Sequence, residues 1–246
     1  MSISEWISLT SSIGAMSAAV VALFTLIELF RQRKSSYKPD LCILQTSFVI
    51  RESKLYGVNL SLDWWHEERD GVSTLVRPSI PLVNVGFGAA KDVYAKWTFD
   101  SEKLIRDVSY LAKESYQPFS IEKERSFLSL RKEGQEVGGV NAEMTTWEYE
   151  YVLPLSQDKG GREVPLPPSY SFLIPAYLSL SVMKDRSIED SEVPEIKLEL
   201  AYTDIGGGKH SSTHKLACKL VYWIMPRPGE RKEKSPEISI RFVESS

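Results

Sequence analysis

The sequence predicts a mainly β protein: an antiparallel β-sandwich with one inserted helix, preceded by a single N-terminal transmembrane helix. Three observations carry the prediction. An uncharged run extends from Trp6 to Ile27, in a chain that is 26% charged as a whole. About nine strand-like segments follow at regular spacing, with one amphipathic helix among them. The crossover helices that a parallel α/β sheet needs are missing. The length of 246 residues and a 42% hydrophobic content suit one main domain and exclude disordered, collagen-like or disulfide-dense chains. A formal net charge of -3 excludes a generally basic nucleic-acid binder, so no nucleic-acid partner is expected.

The N-terminal elements follow from the charge pattern. Residues 1–5 hold no Lys or Arg and form a short extracytoplasmic N-terminus. The run from Trp6 to Ile27 is 22 residues long and, at about 1.5 Å per residue, spans roughly 33 Å, enough for a bilayer core of about 30 Å. Leu29 and Phe30 extend it past Glu28, which places the transmembrane helix at 6–30. A buried helix of a soluble protein is the alternative, and the absence of a polar face over about six turns weighs against it. Trp6 at one end and Arg31, Arg33, Lys34 and Lys38 at the other are interfacial anchors. These cations form a basic juxtamembrane connector at 31–40. The positive-inside rule then puts the N-terminus outside and the main domain in the cytoplasm, single-pass in the inner membrane. Without a basic leading end the segment does not fit a cleaved signal peptide. Gly14, Ala18 and Ala22 recur at helical spacing and offer a face for helix–helix contact, hence for a homo-oligomer.

The main domain is placed at 41–225. Segments 41–50 and 55–64 are rich in β-branched and aromatic residues. Segment 71–86 contains Pro78 and Pro81, which suits an edge strand or a bulge. In 92–99, Val93, Ala95, Trp97 and Phe99 alternate with polar residues, as one buried face of a strand requires. Residues 101–115 form the inserted helix, with Ser101 as its cap and an apolar stripe of Leu104, Ile105, Val108 and Leu111. Further strands are expected at 118–130, 144–153 and 171–183, and an exposed loop at 155–168. Segments 196–205 and 213–224 form a hairpin turned by Gly206, Gly207 and Gly208. A phosphate loop is the functional alternative there, but no GK[ST] follows the glycines. Residues 226–246 form a charged C-terminal tail with a short strand.

Two phrases stand out. LVNVGFGAAKDV at 82–93 carries an N-x-G-x-G-x-A-x-x-V pattern, and LAYTDIGGGKH at 200–210 carries Y-x-D-x-x-G. Both resemble phrases of bacterial membrane-anchored immunoglobulin-like β-sandwich proteins of unassigned function. The resemblance implies an immunoglobulin-like form of the sandwich and membrane tethering, and it implies no catalytic residue. Physically, Asn84, Gly86 and Gly88 supply a turn or bulge, and Asp204 starts an Asx-turn.

Chemistry has few places to reside. His210 and His214 share one strand face, and Asp204 lies just before the same hairpin, so the three are weak metal candidates against a reading as surface polar residues. Cys42 and Cys218 are expected as buried thiols in a reducing cytoplasm, with a disulfide as the alternative if the domain were extracytoplasmic. Trp64 and Trp65, in an acidic context, are partner-binding candidates, one facing in and one out. No catalytic motif is found, so neither an enzyme nor a cofactor is expected. The expected function is a membrane-tethered, cytoplasm-facing binding or sensing module whose partners are the bilayer, an unknown protein and a second copy. The alternative is a membrane effector of a bacterial anti-phage system that perturbs the bilayer when triggered. A hydrolase of unknown substrate comes third.

Overall fold

The computed structural model describes residues 3–52, 60–67, 73–117, 119–184, 193–224 and 237–245. Helix α1 (Ile3–Ser36) comes first. Its stretch Trp6–Gln32 is long and apolar enough to cross a membrane, and none of it is buried against the rest of the chain. Four hydroxyls within it are satisfied locally. Thr10 donates to the Trp6 carbonyl at 3.0 Å, Ser12 to Ser8 at 2.9 Å, Ser17 to Ile13 at 2.8 Å and Thr25 to Val21 at 2.9 Å. Such back-bonding removes polar groups that an apolar surrounding would penalise.

Beyond α1 the fold is antiparallel and mainly β, with 47% of the chain in strands. The strands are β1 (Leu41–Ile43), β2 (Thr46–Glu52), β3 (Ser61–Glu67), β4 (Ser73–Leu75), β5 (Ser79–Asn84), β6 (Ala90–Thr98), β7 (Phe119–Glu124), β8 (Phe127–Lys132), β9 (Gln135–Asn141), β10 (Thr146–Val152), β11 (Arg162–Pro165), β12 (Ile196–Asp204), β13 (Lys209–Ile224) and β14 (Glu237–Glu244). Helix α2 (Ser101–Glu114) follows β6, and α3 (Pro168–Met183) follows β11. The largest sheet has the order β10-β6-β12-β13-β14-β2-β3-β4, and two three-stranded sheets have the orders β1-β5-β11 and β7-β8-β9. The large sheet curls into a half-barrel.

Period-2 alternation brings one face of that sheet inward. Val93, Ala95 and Trp97 of β6, Leu198 and Leu200 of β12, and Ile240 and Phe242 of β14 are all buried. The layer against this face is helical. Tyr170 of α3 packs on Phe99 and Phe242, with ring centroids 5.0 and 6.3 Å away. The expected immunoglobulin-like sandwich gives way to a curled sheet with α3 against its inner face.

Several elements differ from the sequence expectation. Segment 171–183 is not a strand but most of α3, whose described side chains are nearly all buried. A helix buried all round has no polar stripe, so its period vanishes. Segment 118–130 is not one strand but β7 and β8, folded back where Arg125 adopts φ 53. Segment 155–168 is not simply an exposed loop: it contains β11 and buries Val164 and Leu166. The α2 cap is Asp100 rather than Ser101, its carboxylate accepting from the Lys103 N–H at 2.8 Å.

Strand β5 is central in its sheet, not an edge. Its Pro81 is tolerated because β1 pairs only as far as Leu82, and the Pro81 carbonyl still accepts from Leu44 at 2.9 Å. The strand expected in the C-terminal tail is β14, which lies between β13 and β2 inside the large sheet. Arg227, Arg231, Lys232 and Lys234 of that tail lie outside the described residues.

Candidate functional site

The site begins where the helix meets the domain. After α1 the chain runs through Tyr37, Lys38, Pro39 and Asp40 into β1, and this connector is gripped by the loop between β5 and β6. Asn84, 1% exposed, uses its whole side-chain amide there. Its Oδ1 accepts from the N–H of Asp40 and of Gly86, each at 3.0 Å. Its Nδ2 donates to the carbonyls of Gly88 at 2.7 Å and Val152 at 3.1 Å. One buried amide thus ties the connector, its own loop and the end of β10 together. The Val85 N–H adds a bond to the Asp40 carbonyl at 2.8 Å.

The two glycines of the phrase are there for close approach. A Cβ on Gly86 would overlap the backbone of Lys38, Pro39 and Asp40, and one on Gly88 would overlap the Tyr37 carbonyl. The phrase is a seat for the connector as well as a turn.

A polar rim adjoins the seat on the same inward face of β12–β14. His210 Nε2 lies 2.8 Å from Asp204 Oδ2, and its ring stacks on Tyr202 with centroids 5.4 Å apart. Asp204 also accepts from the Gly208 N–H at 2.8 Å, which closes the turn around Gly207 at φ 82. The His210 hydrogen bond, then the Gly208 N–H, hold the Asp204 carboxyl below its usual value. Its contribution to stability is in place above the unfolded value of about 3.9 and is lost as pH falls through the lowered folded value. Asp204→Asn is expected to weaken the hairpin at neutral pH and to flatten the acid limb of a stability-against-pH curve. An unaltered acid limb would contradict this role.

His214 points to different partners. Its Nδ1 is 2.8 Å from Glu244 Oε1 and its Nε2 is 3.2 Å from Ser212 Oγ. Four residues along a strand are about 13 Å, so His210 and His214 share a face without sharing a site. The proposed set of Asp204, His210 and His214 is therefore not brought together as one ligand group. Among the described residues, no group of three or more His, Cys, Asp or Glu is placed to hold a metal ion.

Cys42 of β1 lies beside this rim: burial, then the charges of Asp40 and Glu244, push its thiol up. Tyr202 is likewise raised, by burial and then Asp40, offset by a hydrogen bond to the Leu41 backbone. No disulfide joins Cys42 and Cys218. Cys218 is buried and Cys42 is partly exposed, against the expectation that both are buried.

Trp64 and Trp65 divide as the alternation requires. Trp64 is 4% exposed, stacks on Phe242 at 6.4 Å and donates its indole N–H to the Ser171 carbonyl at 2.7 Å. It belongs to the core, and only Trp65 remains a partner candidate, half-buried on the outer face with the Arg51 guanidinium 5.3 Å from its ring. A cleft of about 430 Å³ lies elsewhere, between β6 and β10, lined by Asp92, Tyr94, Glu148, Tyr149 and Glu150. Asp92 adopts φ 49 there, where β6 slips register against β12. Burial and then Glu163 push the Tyr149 phenol up to about 12, and its hydroxyl donates to the Glu163 carbonyl at 2.8 Å.

The proposed anchors flank the apolar helix. Trp6 is exposed near its start, and Arg31, Arg33 and Lys34 lie in its last turns, where cations also suit the helix dipole. Lys38 is exposed in the connector. Gly14 has open space around it, and Ala18 and Ala22 on the same helix are exposed. The sequence did not point to Tyr37, Asp40, Ser212 or Glu244, since none sits in a recognisable spacing. Compared with protein-family models, curated proteins and solved structures, the chain matches none, so any functional reading rests on the seat and rim themselves.

Proposed function

We propose that the protein is a membrane-tethered, cytoplasm-facing binding or sensing module that acts through protein–protein contact and self-association of α1. The observation that supports this above all is the Asn84 seat. It joins helix and domain by buried hydrogen bonds and backbone contact, a stiff joint through which a change at the domain passes to the helix. Tethering also confines the domain to a plane and raises its effective concentration for partners there. Trp65 beside Arg51 is the partner-binding candidate.

Two measurements in intact cells and membranes test this. Cys42 is the more exposed thiol, so a membrane-impermeant maleimide is expected to label it only after permeabilisation; labelling of intact cells would overturn the cytoplasmic orientation. Disulfide cross-linking through Ala18→Cys is expected to be strong and to fall several-fold with Gly14→Leu. An unchanged yield would remove self-association from the proposal. Overexpression with a membrane-potential dye separates a tether, which leaves the potential unchanged, from a bilayer-perturbing effector, which collapses it.

A hydrolase is the second reading, favoured by one observation. In the neutral His214 ring, Glu244 can only accept, so Nδ1 carries the hydrogen and Nε2 is free to accept from the Ser212 hydroxyl. That is the relay order of nucleophile, base and orienting carboxylate. A fluorophosphonate probe is expected to label wild type but not Ser212→Ala or His214→Gln; absence of labelling in wild type would retire this reading.

A further inference from the structure

The end of the domain nearest α1 is apolar where it should be wet. Phe87 is 79% exposed and Val85 50%, both in the loop that seats the connector. Tyr37, whose backbone Gly88 touches, is 53% exposed. Ile205, at the tip of the β12–β13 hairpin, is 55% exposed. The pairing of Asp204 with Ala90 sets that tip beside the same loop. Four large apolar side chains from three segments thus share one rim, with the exposed cations Lys38 and Lys209 among them.

Distance says what such a rim meets. The stretch of α1 long and apolar enough to cross a membrane, with Phe30 its last apolar residue, runs to Gln32. Ser36 is about 6 Å further along the helix, and Tyr37 about one residue beyond that. The loop touches the Tyr37 backbone, so Val85 and Phe87 lie roughly 10–15 Å from the end of the span. Headgroup regions extend about 5–7 Å beyond each side of the hydrocarbon core, and side chains such as Phe and Tyr reach several ångströms further. Aromatic and aliphatic tips flanked by Lys are the composition that settles into that layer. Two carboxylates stand near: Asp40, exposed in the connector between Lys38 and β1, and Asp204, which already has His210 and the Gly208 N–H as partners.

We propose that Val85, Phe87, Tyr37 and Ile205 dock the β domain onto the surface of the bilayer that α1 crosses. The domain is then held by two membrane contacts, the helix and this rim, which fixes its tilt and turns β14 and the polar rim at a set angle to the lipid. The proposal rests on α1 spanning the membrane.

The test uses the full chain with Cys42→Ser, reconstituted in vesicles of phosphatidylcholine and phosphatidylglycerol, with a nitroxide placed in turn at Val20→Cys, Phe87→Cys and Glu102→Cys. Glu102 is exposed beyond the far end of β6, about 27–30 Å from the rim. Accessibility to oxygen against a water-soluble nickel chelate is expected to place Val20 in the hydrocarbon, Phe87 at the headgroup layer and Glu102 in water. A Phe87 label as wet as Glu102, with Val20 still in the hydrocarbon, overturns the docking and leaves the spanning helix intact, with the rim then open to a protein partner. A Val20 label in water overturns both. A label at Ile205→Cys is further expected to lose oxygen preference several-fold when Phe87→Ser and Val85→Ser are added. Both residues are exposed, so the fold is spared, and an unmoved label would also overturn the docking.

Discussion

Asn84→Ala is expected to lower the stability of the β domain by about 4 kcal/mol, the largest effect of any polar substitution in the described residues. The reasoning is a count of groups left behind. The N–H groups of Asp40 and Gly86 and the carbonyls of Gly88 and Val152 would lose their partner at a buried position. Each orphan costs about 1–3 kcal/mol, and entry of water recovers part of the sum. Asn84→Asp keeps the two acceptor bonds but turns an acceptor toward two carbonyls and buries a charge. It should be no better than alanine near neutral pH and should recover somewhat in acid, where the protonated carboxyl donates once more. Urea unfolding of the detergent-solubilised chain, followed by tryptophan emission, measures both. Chymotryptic cleavage after Tyr37 should accelerate in either variant, because the seat no longer holds the connector. Unchanged unfolding midpoints would mean that the amide is not what joins helix to domain.

Trp64→Ala should cost about 3–5 kcal/mol, as expected for a large aromatic lost from a packed core. A subtler substitution is more informative. Pro175 lies inside α3 and has no N–H, so the Ser171 carbonyl four residues earlier lacks its helical partner. The Trp64 indole N–H occupies that vacancy at 2.7 Å. Trp64→Phe keeps most of the ring and orphans the carbonyl, for a loss of about 1–3 kcal/mol. With Pro175→Ala in place the helix can bond the carbonyl itself, and the same Trp64→Phe should cost about 1 kcal/mol less. Equal costs in the two backgrounds would show that packing alone explains the tryptophan.

These two sites mark where the sequence was readable and where it was not. Helices α1 and α2, strand β6 and the β12–β13 hairpin announce themselves because each is amphipathic, uniformly apolar over a bilayer's length, or punctuated by glycine. Helix α3 does not, because burial on every side removes the polar residues that would have revealed its period. The β7–β8 turn hides because a non-glycine residue, Arg125, takes the positive φ. Asn84, Gly86 and Gly88 were legible as a turn. The connector residues they meet lie 44 positions earlier for Asn84 and Asp40 and further still for Gly88 and Tyr37, and no local pattern records a contact of that separation. The Glu244 carboxylate that faces His214 is equally remote, 30 positions away.

Strand β14 carries a consequence for biosynthesis. It pairs with β13 on one side and with β2 on the other, matching Ile238 to Ile50 and joining Arg51 to Glu237, 186 positions apart, by an ion pair. A ribosome making this chain therefore delivers β2 early and its sheet neighbour late. Until β14 is made, β2 with β3 and β4 forms one half of the sheet and β10, β6, β12 and β13 the other, each with an open edge. The half-barrel closes only when Glu237–Glu244 emerges, by which time α1 has long been available to the membrane. Folding is thus ordered in time as helix α1 first and sheet last, and a truncation ahead of Glu237 would leave two unsealed edges.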